Sequence, residues 1–247
     1  MKLFAFITIL SFCITLDTGA QSSLHAIDTT LFRSINKHHF GPLHRVVNRH
    51  DDIVMPAGII VPAVMTINGY TQDRFYRMDT GILTLASTGL TYGVTKAIKH
   101  SVRRERPFLR LYRVRASNIW SADRHSFPSG HTSMAFALAT SLSLRYTDTG
   151  TVVPLYLWAG FVGYSRIYLG LHYPGDVLVG AMVGTTVALL INQLDSFLER
   201  QREEILPDPV NGIPAAAEIP LMISLYGIGI GALHVDGGVQ FRMQHTF

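Results

Sequence analysis

The chain has 247 residues, enough for one substantial domain with short appendages, and it carries no internal repeat or low-complexity linker. Apolar residues make up 48% and charged residues 15%, rich for a soluble protein and lean for one buried wholly in lipid, so composition admits both a membrane and a periplasmic protein. The formal charge is +4, and the single cysteine, Cys13, excludes a disulfide framework and a thiolate metal site.

Met1-Lys2, the apolar run Leu3 to Leu16 and the small-residue exit Asp17-Thr18-Gly19-Ala20 form a secretory signal over residues 1–20, with cleavage after Ala20, or a retained first membrane anchor. Residues 28–52 are mixed and basic, with Leu31, Phe32, Ile35, Leu43, Val46 and Val47 at spacings suited to amphipathic helices. Five apolar segments follow: Ile53 to Tyr70, Gly81 to Ile98, Thr132 to Leu144, Val152 to Tyr164 and Val177 to Ile191. They are long for strands and alternate poorly, so the pattern predicts an all-α, antiparallel helical bundle of about five to six helices over residues 21–206, expected to be embedded in a membrane, with a soluble periplasmic bundle as the alternative. Pro56, Pro62 and Asn68 weigh against some of these segments as full spans. The charged run Glu199 to Glu204 and the loop Pro207 to Gly212 end the bundle. In the tail, residues 207–247, the period changes to two: Val239, Phe241, Met243, His245 and Phe247 alternate with polar residues after the turn signal Asp236-Gly237. A short C-terminal β-hairpin is expected, joining roughly Ile219 to Val235 with Val239 to Phe247.

Three clusters fall at the ends of the apolar segments, and an antiparallel bundle brings them to one end. The first is Lys99 to Pro107, the second Ser126 to Thr132, the third Ser165 to Asp176. Residues 99–124 hold a local excess of six positive charges, which suits an anionic partner. Ser129 and Gly130 stand at a predicted helix mouth, where unpaired N–H groups and the helix dipole favour an oxyanion. The chemistry these residues suggest is phosphoryl transfer to histidine. Lys99, Arg106 and Arg166 supply charge for the nonbridging oxygens. His172 is a competent nucleophile if Asp176, four residues on, holds its ring, which leaves His131 to protonate the leaving oxygen and later to deprotonate water. Each feature also has an ordinary structural explanation: Lys99 and Arg106 as basic loop residues, Ser129 and Asp176 as helix caps. No cluster resembles a metal site and no cofactor is required; His38, His39, His100 and His125 have no identifiable partner in this scheme.

Lys99 through Arg106-Pro107, Pro128-Ser129-Gly130-His131, and Ser165-Arg166 with His172 and Asp176 resemble the three-part signature of the type 2 phosphatidic acid phosphatase superfamily, in motif order over residues 53–195. The resemblance implies a helical-bundle fold, His172 as nucleophile, Asp176 as its orienter, His131 as general acid, and Lys99, Arg106, Ser129, Gly130 and Arg166 as phosphate ligands. It implies a phosphatase at the periplasmic side of a bacterial inner membrane, acting on a phosphorylated lipid or other phosphate ester and not on nucleic acid. Members of the superfamily also include soluble periplasmic acid phosphatases and vanadium-dependent haloperoxidases, so a soluble acid phosphatase of broad specificity stays open, as does a non-catalytic lipid-binding envelope protein.

Overall fold

The computed structural model describes residues 18–37, 41–72, 74–205, 228–235 and 238–245. Six long helices carry the fold: α1 (Thr18–Asn36), α2 (Gly41–Thr71), α3 (Phe75–Val102), α5 (Gly130–Arg145), α6 (Thr149–Tyr168) and α7 (Pro174–Ile205). A short α4 (Pro107–Arg110) and a 3-10 turn (Ile119–Ser121) lie in the long connection between α3 and α5. The helical bundle expected from the apolar segments is present, with α5 at its centre packed against α2, α3, α6 and α7. The C-terminal hairpin is also present as β1 (Ile228–Val235) and β2 (Gly238–His245), antiparallel in the register Ile228↔His245 to Val235↔Gly238. Residues 219–227, Asp236-Gly237 and Thr246-Phe247 of the expected hairpin lie outside the described residues, as do residues 1–17 of the expected signal.

Two helices run further than their apolar patterns suggest. α7 continues to Ile205 through the charged run from Glu199, because Glu, Arg and Gln are themselves good helix formers. α2 fuses the basic stretch from Gly41 with the apolar segment and passes through Pro56 and Pro62 unbroken. Pro62 has no N–H for the carbonyl four residues back, and that carbonyl, Gly58 O, accepts instead from Thr88 Oγ1 of α3 at 2.9 Å.

Along α3 the polar and apolar surfaces are arranged inside out. The buried face of α3 is Thr80, Thr84, Ser87, Thr88, Thr91 and Thr95, while Leu85, Leu90 and Tyr92 of the same helix are exposed. Ile59, Ile60, Val64 and Ile67 of α2 and Leu178, Leu189, Leu194 and Phe197 of α7 are exposed too. Large apolar side chains outside and small hydroxyl-bearing ones inside are what helices packed within lipid require. Among the described residues, two stretches are long and apolar enough to cross a bilayer: Ile53–Thr71, of 19 residues, and Pro174–Leu198, of 25. Close helix contact depends on small residues. On α7, a Cβ on Gly180 would lie 2.7 Å from Ser129 O and one on Gly184 would collide with Ser133 O, so this pair lets α7 sit directly on the α5 backbone.

α1 docks through Phe32, which is buried, and through Asn36, whose Nδ2 donates to Tyr168 O at 3.1 Å and to Arg115 O at 2.8 Å. That places α1 at the end of the bundle where α3 stops and α5 and α7 start.

Candidate active site

Backbone hydrogen bonds stitch the three sequence clusters together. α3 ends when Arg103 takes a left-handed φ of 53° and returns its N–H to Lys99 O. The chain then runs extended. Ser126 N donates to Arg104 O at 2.7 Å, and Glu105 pairs with His125 as an isolated antiparallel bridge. Ser129 N donates to Asp176 O at 2.9 Å, which fixes the start of α5 against the first turn of α7. Sequence neighbours of Lys99, His131 and His172 are thereby locked to one another, and the side chains meet in one cavity.

That cavity is about 900 Å³ and its walls include Lys99, Arg106, Gly130, His131, Arg166 and His172. Arg106 is the hub: NH1 donates to Leu171 O at 3.0 Å and lies 3.2 Å from His172 Nε2, and NH2 donates to Asp123 Oδ1 at 2.6 Å. Lys99 Nζ donates to His125 O at 2.6 Å and to Asp123 Oδ1 at 3.1 Å. Arg166 is fully buried, with Nε and NH2 each 3.3 Å from Ser165 Oγ. Ser129 and Asp176 are brought to the same corner but lie behind the wall, wholly buried. Ser129 Oγ pairs with Thr132 Oγ1 at 2.8 Å and its N–H donates to Asp176 O, so Ser129 lies behind the helix mouth while Gly130 lies at the cavity surface.

Asp176 is not the N-cap of α7. It is the third residue of the helix, and its Oδ2 reaches back to accept from Tyr173 N at 2.9 Å, as the third-position acid of a capping box does. The same oxygen stands 3.6 Å from His172 Nδ1, beyond hydrogen-bond range, and Nδ1 makes no hydrogen bond among the described residues. The other oxygen, Oδ1, accepts from Arg104 NH1 at 2.7 Å.

Electrostatics follow from burial among cations. Burial, reinforced by Arg106 and Lys99, lowers the His131 pKa to about 4. His172 is held well below the usual histidine range by burial first and then by Arg106, Lys99 and Arg166. Both rings are neutral at pH 7, and His172 Nε2 therefore keeps its lone pair when Nδ1 holds the proton. Burial and Arg106 lower Lys99 to about 8, against the pull of Asp123. Asp123 is held far below the carboxylate range by hydrogen bonds and charges from Arg106 and Lys99, which outweigh its burial. Among the described residues, no group of three or more His, Cys, Asp or Glu side chains is placed to hold a metal ion.

Three functional neighbours escape a reading of the sequence. Asp123 bridges Lys99, Arg106 and Lys96, and its only signal was that of one of two acids in a basic stretch. Arg104 sits inside the first cluster but turns away from the cavity to clamp Asp176 and, through NH2, Asp28 Oδ2 at 2.6 Å. Asp28, on α1, also accepts from Gly175 N at 2.7 Å, and nothing in its local sequence ties it to residues 147 positions away.

Comparison with known proteins bears on this geometry. Residues 80–200 match the PAP2 superfamily. The chain is 28% identical over 170 residues to undecaprenyl-diphosphatase BcrC of Bacillus subtilis, an alignment spanning 68% of this chain and 84% of that protein. It is 33% identical over 118 residues to decaprenylphosphoryl-5-phosphoribose phosphatase of Mycobacterium tuberculosis, spanning 48% of this chain and 63% of the relative. The crystal structure of a transmembrane PAP2 type phosphatidylglycerolphosphate phosphatase from Bacillus subtilis shares the fold, with a TM-score of 0.60 and 24% identity over 81% of this chain and 98% of that one.

Proposed function

Residues 80–200 belong to the PAP2 superfamily, and on that premise we propose that this phosphoric ester hydrolase is a metal-independent phosphatase that removes phosphate from a lipid phosphate monoester or pyrophosphate through a phosphohistidine. His172 Nε2, 3.2 Å from Arg106 at the inner end of the cavity, is the observation that carries the reading. Nε2 attacks phosphorus, the bond from phosphorus to the leaving oxygen breaks, and His131 delivers a proton to that oxygen. In the second half, water attacks the phosphohistidine, His131 takes the water's proton, and free phosphate leaves with His172 restored. Lys99, Arg106, Arg166 and the first-turn N–H groups of α5 hold the nonbridging oxygens, where their charge favours a transition state with dispersed negative charge. Asp176, pinned by Arg104 and Tyr173 N, steadies the Nδ1 side of the ring. Both carboxylates near the reacting atoms, Asp123 and Asp176, are already paired with cations, so the donor set offers a divalent metal ion nothing.

A lipid substrate is supported by the shape of the cavity. From the phosphate end it continues between α2 and α3 past Thr95, Tyr92, Gly89 and Leu85 on one side and Met55 and Ile59 on the other. Leu85 to Lys99 is about 21 Å along a helix, and the groove opens sideways where Leu85, Tyr92 and Ile59 are exposed. Such a lateral opening lets an acyl or prenyl chain stay in the bilayer while its phosphate reaches the site. BcrC and the mycobacterial relative, named for polyprenyl substrates, agree with this class. The periplasmic orientation rests on α1: cleavage after Ala20 would leave the new N-terminus outside the cytoplasm, and Asp28, eight residues on, touches Arg104 at the catalytic end.

The test is phosphate release from phosphatidic acid, phosphatidylglycerol phosphate, a polyprenyl diphosphate, lipid A and a soluble aryl phosphate, with His172→Ala in parallel and a chelator in one arm. Lipid preference, a dead variant and indifference to the chelator are expected. Preference for the aryl ester would make this a soluble-type acid phosphatase, and inhibition reversed by added Mg²⁺ would overturn the metal-free scheme.

A further inference from the structure

Among the described residues that line the cavity, Asp123 is the sole acid. Its Oδ1 sits between Arg106 NH2 at 2.6 Å and Lys99 Nζ at 3.1 Å, and its Oδ2 lies 3.3 Å from Lys96 Nζ. Lys99 and Arg106 are themselves buried, so these are the cations that an entering phosphate must reach. A carboxylate bridging an ammonium and a guanidinium occupies the places of phosphate oxygens. Asp123 differs from Asp176 in being able to leave: it lies in the connection between α4 and α5, outside any helix, and its side chain is 37% exposed where that of Asp176 is sealed. Lys96, one turn before Lys99 on α3 and itself 40% exposed, offers the carboxylate a place at the mouth.

We propose that Asp123 is a resident anion that an incoming phosphate group displaces from Lys99 and Arg106 while Lys96 retains the carboxylate at the mouth, so that Asp123 sets how tightly the site holds phosphate. The inference rests on the reading of this cavity as a phosphate site. In the empty enzyme Asp123 relieves the repulsion between Lys99 and Arg106. A phosphate must replace its two charge-assisted hydrogen bonds, which holds affinity down for every phosphate ligand alike. A lipid substrate recovers that loss by burying its chain in the groove; inorganic phosphate has no chain and is expelled when Asp123 returns. Asp123 therefore keeps inorganic phosphate from lingering in the site, and the buried chain is what distinguishes substrate from product where both present the same charged group.

The measurement is calorimetric binding of inorganic phosphate to the full chain in detergent micelles, for wild type, Asp123→Asn and Asp123→Ala, with KM and kcat beside it. Removing Asp123 also removes support for the Lys99 proton, so binding is measured near pH 6, below the Lys99 pKa of about 8. Losing a competing charge-assisted pair should tighten phosphate binding on the order of tenfold or more in both variants, with KM falling and kcat not rising. Unchanged or weaker binding in variants that melt near the wild-type temperature would overturn the proposal and make Asp123 a structural tie for Lys99 and Arg106. A readout on the unmodified enzyme guards against misfolded variants: the infrared difference spectrum on adding phosphate should show a shifted carboxylate stretch, and its absence also overturns the proposal. Neither binding measurement needs turnover. Tighter phosphate binding in Asp123→Asn together with no hydrolysis of any ester by the wild-type protein would refute the catalytic reading and leave the resident anion standing.

Discussion

In the proposed scheme His131 has to acquire, when the substrate binds, the proton that it delivers. Burial, Arg106 and Lys99 hold its pKa at about 4, so at pH 7 the ring is neutral and has nothing to donate. An anion bound to Arg106 and Lys99 cancels their repulsion and draws a proton onto the ring, so arming of the acid is coupled to occupancy of the site. The sign is testable with sulfate, which does not titrate near neutrality. Wild-type protein should take up a substantial fraction of a proton on binding sulfate at pH 7, read from calorimetry in buffers of different ionisation enthalpy, and His131→Ala should take up almost none. No uptake by wild type would remove His131 from the acid role. The residues of the proposed chemistry were legible in the sequence because each is a charged or histidine side chain at the end of an apolar segment: Lys99, Arg106, His131, Arg166, His172 and Asp176 all come to one corner. What positions them was not legible. Arg104 meets Asp28 and Asp176 across 76 and 72 positions, and Asp123 meets Arg106 across 17, partnerships that exist only once the helices have packed.

At the scale of helices, α3 does two jobs with two faces. Its hydroxyl-bearing face returns Thr80, Thr84 and Ser87 to their own carbonyls four residues back, which lets polar side chains sit in a dry interior, and Thr88 spans to the carbonyl freed by Pro62 on α2. The adjoining stripe of Leu85, Gly89 and Tyr92 forms one wall of the groove. Gly89 is informative because a Cβ there meets nothing within 4 Å, so a larger side chain fills the groove without disturbing the bundle. Gly89→Phe should raise KM for a long-chain lipid phosphate about tenfold or more while leaving KM for a soluble aryl phosphate within about twofold, since one well-filled apolar contact is worth roughly 1.5–3 kcal/mol. Equal effects on both substrates would place the chain elsewhere. The helices themselves were readable from runs of apolar residues. The continuity of α2 was not, because Pro56 and Pro62 signal breaks, the second of which Thr88 of α3 repairs, and the groove was not, because it belongs to the space between two helices.

For the molecule as a whole, the arrangement is a bundle with apolar flanks and one charged, open end. The connection between α4 and α5 that covers this end carries Trp120 and Tyr112, 97% and 76% exposed, among arginines, the pairing of aromatic rings with positive charge that suits a lipid headgroup layer. Convergence of the three clusters at that end followed from antiparallel topology alone, whereas the contribution of α1 did not: Asp28 and Asn36 draw a helix from outside residues 80–200 onto the catalytic end. The central claim for the whole assembly is that phosphate passes through His172. The most direct test is rapid quench of the purified full chain with a ³²P-labelled lipid phosphate, followed by mapping of the protein-bound label. Acid-labile, base-stable label on the peptide containing His172, absent from His172→Ala, is the predicted result. Steady turnover with no labelled histidine, or label stable to acid and lost in base, would contradict it.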